Sequence, residues 1–533
     1  MPGLALSGSE PASRKLWGIA AVLTAALAVV GCGGKGTQAS KSATANAAAK
    51  STAADKKPQP KKTQLTPSSN PKKQIGQLPK PVEEPVAAPP SQDQPPTKPA
   101  PRTERTEGTL NDLINQANAA EFRLPEINEA KVAAAGIRKI SGKHITIYTD
   151  VPADPAVEEL PKVFDLALPE WTGYFELDEK IAADWKVYGY LMKDKERFAG
   201  VGLLPDNLPP FLNGFQRGSE IWWYDQPEFY RRELMLHEGT HAFMMRFLGG
   251  FGPPWYAEGM AEYLGTHKWE GGKLTLAYNP RTKEEAPFWG RVKVIKEEYA
   301  QARGMLLTDI FQYDAHAHLK NEPYGWCWGA AMFLDNHPLT QKAFRKLQKE
   351  AGNRSIDFST NFLKELEADL PAINEDWQLF IINADYGYDV SRGAVLRKAG
   401  VAPLPAAGAT VTIAADRGWQ SSGFAVEPGK TYKISATGRY LVAKAPQPWP
   451  CEPGGITIHY HRGKPLGMLV AAIGDIKLEK DTITPLAKPT GVGTLAEITP
   501  TFAGTLYLSI NEAAGGLADN EGALSVKIEV KAK

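Results

Sequence analysis

Cysteine is scarce in this chain, with three residues among 533, at positions 32, 327 and 451. That scarcity excludes a dense disulfide framework. Charge of one sign is lacking as well. Lys and Arg number 61 against 60 Asp and Glu, a net charge of +1. Nucleic acid is therefore not an expected partner. Long apolar runs are almost absent. The one that stands out, residues 16–30, is too short and one-sided for a comfortable membrane span. Residues 33–104 are nearly without large apolar side chains and cannot build a core. There is no convincing internal repeat. At 43% hydrophobic and 23% charged, the composition is that of ordinary soluble domains, and the length allows two or three.

The N-terminus has its own logic. Arg14 and Lys15 precede the apolar run, which ends in Val29-Val30-Gly31-Cys32. A positive start, a short apolar stretch and a small residue before cleavage describe an export signal over 1–31. With a cysteine directly after Gly31, it resembles a bacterial lipoprotein signal. The resemblance implies lipidation of Cys32, a lipid bilayer as partner and a place in the bacterial cell envelope. Gly33 stands where an aspartate would favour inner-membrane retention. The expectation therefore leans to the outer membrane or cell surface. Residues 32–104, rich in Lys, Ala, Ser, Thr and Pro, read as a disordered stalk that carries a folded body clear of the bilayer. Cys327 and Cys451 fall in different proposed domains. Two separate buried thiols are preferred there over a bridge, although an oxidising compartment permits one.

Folded sequence is expected from about residue 105. Periodicity predicts a helix over 110–119, a strand over 144–148, a helix over 156–175 and a strand over 186–191. A helix start or turn follows at 193–198. A long helix over 230–247 is broken by Gly249-Gly250-Phe251-Gly252-Pro253-Pro254, and a second helix runs over 255–264. Further helices are expected over 325–334, 341–350, 360–366 and 377–383. From residue 401 the texture turns to alternating, β-branched segments at 410–413, 432–435, 456–459, 504–510 and 524–530, separated by glycine-rich turns. The fold class that follows is multidomain, an α+β domain over 105–400 and then an all-β sandwich over 401–533.

The chemistry concentrates at His237-Glu238-Gly239-Thr240-His241. Residues four apart on a helix share a face, so His237 and His241 can hold one metal ion. Glu238 is rotated toward the open coordination position, where it can act as general base on bound water. Glu258, which opens the next helix, is the candidate third ligand. Glu262 is a rival ligand, one turn further on. Its other possible work is accepting a ring N–H from a ligating histidine. His267 is expected to be a surface or supporting histidine.

These residues, with Trp255-Tyr256-Ala257-Glu258-Gly259-Met260-Ala261-Glu262-Tyr263, resemble the gluzincin metallopeptidases of the thermolysin-like MA clan. They are similar in particular to the peptidase-MA-like domains of bacterial secreted and lipid-anchored proteins. The resemblance implies a bound Zn2+, His237, His241 and Glu258 as its ligands, Glu238 as base, and a protein or peptide substrate. It also implies a hydrogen-bond donor for the oxyanion. Tyr324 is the first candidate, with a core or cleft-wall tyrosine as the equal alternative, and Tyr256 and Tyr263 are weaker ones. Trp222, Trp223, Tyr224, Trp255, Trp326 and Trp328 either line an aromatic cleft or pack between elements, the latter being simpler. Without a recognisable device for anchoring a free amine, an endopeptidase is expected. An amide in cell-wall peptide is an alternative substrate. A non-catalytic surface-binding protein is the alternative function.

In the β region, Leu508-Ser509-Ile510-Asn511-Glu512 and Asp519-Asn520-Glu521-Gly522 flank a short loop. The arrangement resembles the calcium-dependent galactose-binding lectins of the LecA type. The resemblance implies Ca2+ at Glu512, Asp519 and Asn520, with a backbone carbonyl near Gly516, and carbohydrate as a partner. Glu512 stands where those lectins carry aspartate, and Asp519 replaces the first of two asparagines. The loops that contact sugar are not clearly preserved. The other reading is a sandwich that packs against the first domain, with Asn511, Asp519 and Asn520 satisfying turn backbones.

Overall fold

The computed structural model describes residues 122–314, 320–474 and 482–531. The export signal, Cys32, the stalk and the helix expected over 110–119 lie outside them. All described residues fall in one compact unit. No helix among them is long and apolar enough to cross a membrane.

The first part is a mixed α/β body. Its sheet comprises β1 (Arg138–Ser141), β2 (Ile145–Thr149), β3 (Val187–Met192), β4 (Gly214–Arg217) and β5 (Glu220–Tyr224), in the order β1-β2-β3-β5-β4. The central pairs β2–β3 and β3–β5 are parallel, and the outer pairs are antiparallel. Both faces of the central strands are covered. Ile145, Ile147, Val187, Leu191, Ile221 and Trp223 face the main core. Tyr148, Tyr190, Met192 and Trp222 face a second one, closed by Val132 and Phe198. Burial on both faces makes these strands nearly continuous apolar runs rather than alternating ones.

The main helices are α1 (Leu160–Tyr174), α2 (Glu228–Phe247), α3 (Pro254–Gly265), α4 (Arg291–Ala300), α5 (Glu322–Asn336) and α6 (Leu370–Asn383). Pro254 sits in the first turn of α3, where its missing N–H costs nothing. Gly259 lets α3 approach α5 closely. A side chain there would meet the Cys327 carbonyl at 3.0 Å and Ala331 at 3.3 Å. The helix expected over 341–350 is an α-helix only to Lys346 and continues as a 3-10 turn, Leu347–Glu350.

The second part is built from antiparallel sheets. One orders Thr490–Gly491, Leu469–Gly474, Gly504–Ile510, Gln420–Val426 and, in a short parallel pairing, Ala402–Pro403. The other orders Trp449–Cys451, Tyr440–Ala443, Glu521–Val530, Tyr432–Thr437 and Leu495–Ile498, with Ala409–Ala414 also beside Glu521–Val530. Leu469, Leu506, Leu508 and Ile510 of the first sheet share a core with Ile413, Ile434, Leu524, Val526 and Ile528 of the second. Cys327 and Cys451 are separate, buried free thiols.

The two parts meet across a packed junction. Leu379 and Val395 join Ala472, Leu486 and Tyr507 in one apolar cluster. Beside it, Arg397 binds Glu375 at 2.7 Å and Asp376 at 2.8 Å, and His337 Nε2 lies 2.8 Å from Asp376. Thr484 donates from its hydroxyl to Glu375 at 2.7 Å and from its N–H to Gln378 at 3.0 Å.

Candidate metal centre

The α2 helix presents His237, Glu238 and His241 because of how it is held. Thr240 accepts a hydrogen bond from Trp171 Nε1 of α1 at 3.0 Å and donates to the Leu236 carbonyl at 2.8 Å. Gly239 is where α1 presses on α2. A methyl group there would lie 2.8 Å from Phe164 and from Trp171. This orientation turns His237, Glu238 and His241 away from α1.

The Glu258 carboxylate of α3 lies between the two rings. Its Oε2 is 3.4 Å from His237 Nε2 and 3.7 Å from His241 Nε2. That oxygen is buried and has no hydrogen-bond partner. Ligands at about 2.0–2.1 Å around a tetrahedral zinc sit about 3.3 Å apart. The three ligand atoms are therefore spaced for one ion. The set of two nitrogens and one carboxylate oxygen also suits zinc. Glu258 is the residue that α3 brings between the two rings.

Glu262 takes the supporting position. Its Oε1 is 3.3 Å from His237 Nδ1, on the far side of the ring from Glu258, a close approach in which Nδ1 does not yet make a hydrogen bond. Arg291 of α4 grips Glu262 with two nitrogens, Nη2 at 2.8 Å and Nε. A carboxylate behind a ligating histidine fixes its tautomer and tilt. Glu233, one turn before His237, completes this layer. It is fully buried, and neither oxygen has a hydrogen-bond partner. His237, Glu233 and Glu262 form a second group with metal-ligand spacing. The Arg291 guanidinium already binds Glu262 there and lies 3.9 Å from Glu233. Neither Glu233 nor Arg291 was singled out from the sequence. Glu233 precedes His237 by one turn on the same face, the one signal that could have found it.

The charges in the metal-free chain follow from burial and neighbours. Burial pushes Glu238 up to about 7, with His237 and His241 opposing. Burial also acts to raise Glu258, but the two histidines outweigh it and hold it well below the usual carboxylate range. Burial disfavours the charged His237 ring, yet Glu258 and Glu262 raise it well above the ordinary value. Burial raises Glu233, and the Glu262 charge adds to the effect.

Tyr324 of α5 reaches the site, its ring centre 6.1 Å from that of His237. Burial, then the charges of Glu258 and Glu238, raise its phenol far above the usual range, so it stays a proton donor. Tyr256 packs on Phe344 and Phe358, and Tyr263 bonds Asn336, so both belong to the core. The expectation of a surface position for His267 is corrected. The ring is fully buried, stacks on Phe229 and receives a hydrogen bond from Arg232 at 3.0 Å. Trp222, Trp223, Trp255, Trp326 and Trp328 are buried packing residues, Trp326 also borders a cavity with Met305, Tyr313 and Pro323, and Tyr224 borders another beside Phe211.

Glu238 has its own cradle. Gly214, the first residue of the edge strand β4, lies directly against its carboxylate, and a side chain at 214 would overlap it. This contact joins the base to the sheet edge.

In the β region, Asn520 donates to Glu512 at 2.8 Å and to the Ala415 carbonyl at 3.0 Å. Its amide oxygen is buried without a partner. Burial pushes Glu512 up to about 7. Asn511 donates to three carbonyls, of His461, Lys464 and Pro465. Among the described residues, Glu512 and Asp519 belong to no group of three His, Cys, Asp or Glu with metal-ligand spacing. The loop between them, Ala514–Asp519, packs on the α/β body. A side chain at Gly515 would meet the Gly387 carbonyl at 2.8 Å.

No family model matches the sequence, and no curated protein does. Among solved structures, the chain is distantly similar to the N-terminal domain of EclA, a PllA-like lectin. That match has 20% identity and a TM-score of 0.17, over 23% of this chain and 95% of that one. It is also distantly similar to the IMPa metallopeptidase from Pseudomonas aeruginosa, at 11% identity and a TM-score of 0.15, over 74% of this chain. The same peptidase in complex with T-antigen matches at 10% identity and a TM-score of 0.15, again over 74%. The chain spans 42% of the length of those peptidase chains.

Proposed function

We propose that the chain is a zinc-dependent peptide-bond hydrolase of thermolysin-like arrangement, acting as an endopeptidase. The observation that carries the reading is the convergence of His237 Nε2, His241 Nε2 and the unpartnered Glu258 Oε2, with Glu238 beside them. A zinc ion bound there supplies a Lewis acid for the scissile carbonyl and lowers the pKa of a bound water.

The remaining work falls to the protein's own groups. Glu238 takes a proton from the attacking water and returns one to the leaving amine. Tyr324 donates a hydrogen bond to the developing oxyanion. Glu262 and Arg291 hold the His237 ring in place. The free edge of β4 offers backbone groups to an extended peptide, and Gly214 brings that edge against Glu238. An edge strand binds extended chain without requiring a free terminus, which favours internal cleavage.

The same proposal carries the lipid anchor at Cys32 and a place at the bacterial outer membrane or cell surface. It also carries Ca2+ at Glu512, Asp519 and Asn520, favoured by the unpartnered Asn520 oxygen beside a half-buried carboxylate. Radiolabelled palmitate incorporation, lost in Cys32→Ala, tests the first. Calorimetric titration of Ca2+ into wild type and Glu512→Gln tests the second.

The enzymatic reading is tested with Glu238→Gln. Cleavage of a broad peptide and protein panel falls by about a hundredfold or more while zinc stays bound. If the folded, zinc-loaded wild type cuts nothing in that panel, the reading fails. A non-catalytic surface-binding role, checked by glycan-array binding, then takes its place.

A further inference from the structure

The peptidase reading leaves the preferred substrate open, and an unpaired cation near the metal centre bears on it. The glycine-rich turn after α2 is stitched to a distant segment. Gly252 N–H donates to the Ala351 carbonyl at 2.7 Å. At Gly250 a side chain would run into the same carbonyl. This seam places Arg354 over Phe251, its guanidinium carbon 4.7 Å from the ring centre. Phe251 in turn stands edge-on to His241, with ring centres 5.5 Å apart. The two distances put the guanidinium no more than about 10.2 Å from the His241 ring.

Arg354 differs from the other arginine of the site. Arg291 is buried, and Glu262 neutralises it. Arg354 is exposed and, among the described residues, has no ion-pair or hydrogen-bond partner. Its cation–π contact with Phe251 steadies the guanidinium while leaving its N–H donors to solvent. A fork held in this way is suited to two-point recognition of a carboxylate.

We propose that Arg354 is a specificity-determining residue that receives a substrate carboxylate on the His241 side of the metal centre. An extended chain advances about 3.3 Å per residue. The carboxylate therefore sits within about three residues of the bond that is cut. It belongs either to an acidic side chain or to the C-terminus of a short peptide. The inference rests on the peptidase reading for its cleavage readout but not for its binding readout.

The test uses the zinc-loaded full chain and matched peptides carrying Glu or Gln at each position within four residues of the cut. A second set compares free and amidated C-termini. At one position, or at the C-terminus, the carboxylate peptide is preferred about fivefold to tenfold in kcat/KM, mainly through KM. The preference shrinks in about 0.5 M salt. In Arg354→Ala the ratio falls to about one, and Arg354→Glu prefers Lys at the same position. A carboxylate preference that survives in Arg354→Ala overturns the proposal, as does the lack of any such preference in the wild type.

Binding of the same peptides to zinc-loaded Glu238→Gln, read by fluorescence anisotropy, separates the two claims. Arg354-dependent preference in binding, with no cleavage by the wild type, keeps the Arg354 assignment and removes the peptidase. Cleavage without the preference does the reverse. Neither cleavage nor selective binding removes both.

Discussion

Two buried clusters in this chain are made of the same ingredients, histidine and carboxylate, and they are put together differently. At the junction of the two parts, His337 Nε2 meets Asp376 at 2.8 Å, and Arg397 binds both Asp376 and Glu375. Thr484 takes up a remaining Glu375 oxygen. Every carboxylate oxygen of Glu375 and Asp376 has a partner there, and only Arg397 Nε in this group is left without one. At the metal centre the His–Glu258 separations are 3.4 and 3.7 Å, too long for good hydrogen bonds, and the shared oxygen has no partner. A closed network of this kind serves structure. A buried carboxylate oxygen left open between two imidazoles marks a place for a ligand.

The comparison breaks first at the closed cluster. Arg397→Ala leaves Glu375 and Asp376 buried without their cation. We expect a loss of about 3–5 kcal/mol in unfolding free energy by denaturant titration. The two parts should lose stability together, because Asp376 and Arg397 belong to the α/β side and Thr484 to the β side. Retained stability would mean that the junction is not a structural network.

A smaller effect is expected beside the open cluster. Gly239→Ala pushes a methyl group into Phe164 and Trp171, and overpacking of this kind costs about 1–3 kcal/mol. Because the same step moves α2 off α1, zinc affinity should fall with stability. Unchanged affinity would show that the ligand geometry does not depend on that contact.

The smallest effect sharpens a third case, Glu512, a half-buried carboxylate with an amide partner and, among the described residues, no ion-pair cation. Burial raises it from 4.5 to about 7. Folding therefore favours its neutral form. Its contribution is full below about pH 4.5 and is lost as the pH rises through about 7. Glu512→Gln should remove that slope and stabilise the chain by about 1–3 kcal/mol at pH 8 without calcium. Thermal melts at pH 5 and pH 8 measure it. Bound calcium, if the site takes it, reverses the advantage at pH 8.

Much of the metal centre was legible because its residues lie on two consecutive helices with strong local signals. The spacing of His237 and His241 depends on helical geometry alone. The Gly/Pro break before Pro254 announced the turn that folds Glu258 back onto them. The supporting layer was not legible in the same way. Arg291 reaches Glu262 from another helix, and nothing local to either residue predicts the pairing. Glu233 carries no sign in the sequence that both its oxygens are buried. Gly214 lies in a four-residue strand too short for periodicity, and its contact with Glu238 is purely tertiary. In the β region the alternating strands were readable. Gln420–Val426 was not, because its buried face begins with Gln420, Ser421 and Ser422. His267, three residues past the second helix, reads as a surface or supporting histidine, and stacking on Phe229 buries it.

The central claim is that His237, His241 and Glu258 hold one zinc ion. The most direct measurement is zinc per chain, by metal analysis after dialysis, for wild type, Glu258→Ala and Glu512→Ala. The account predicts one zinc in wild type and in Glu512→Ala, and loss of tight binding in Glu258→Ala with the fold intact by circular dichroism. A folded wild type that takes up no zinc on reloading, or a Glu258→Ala protein that keeps it, would contradict the account.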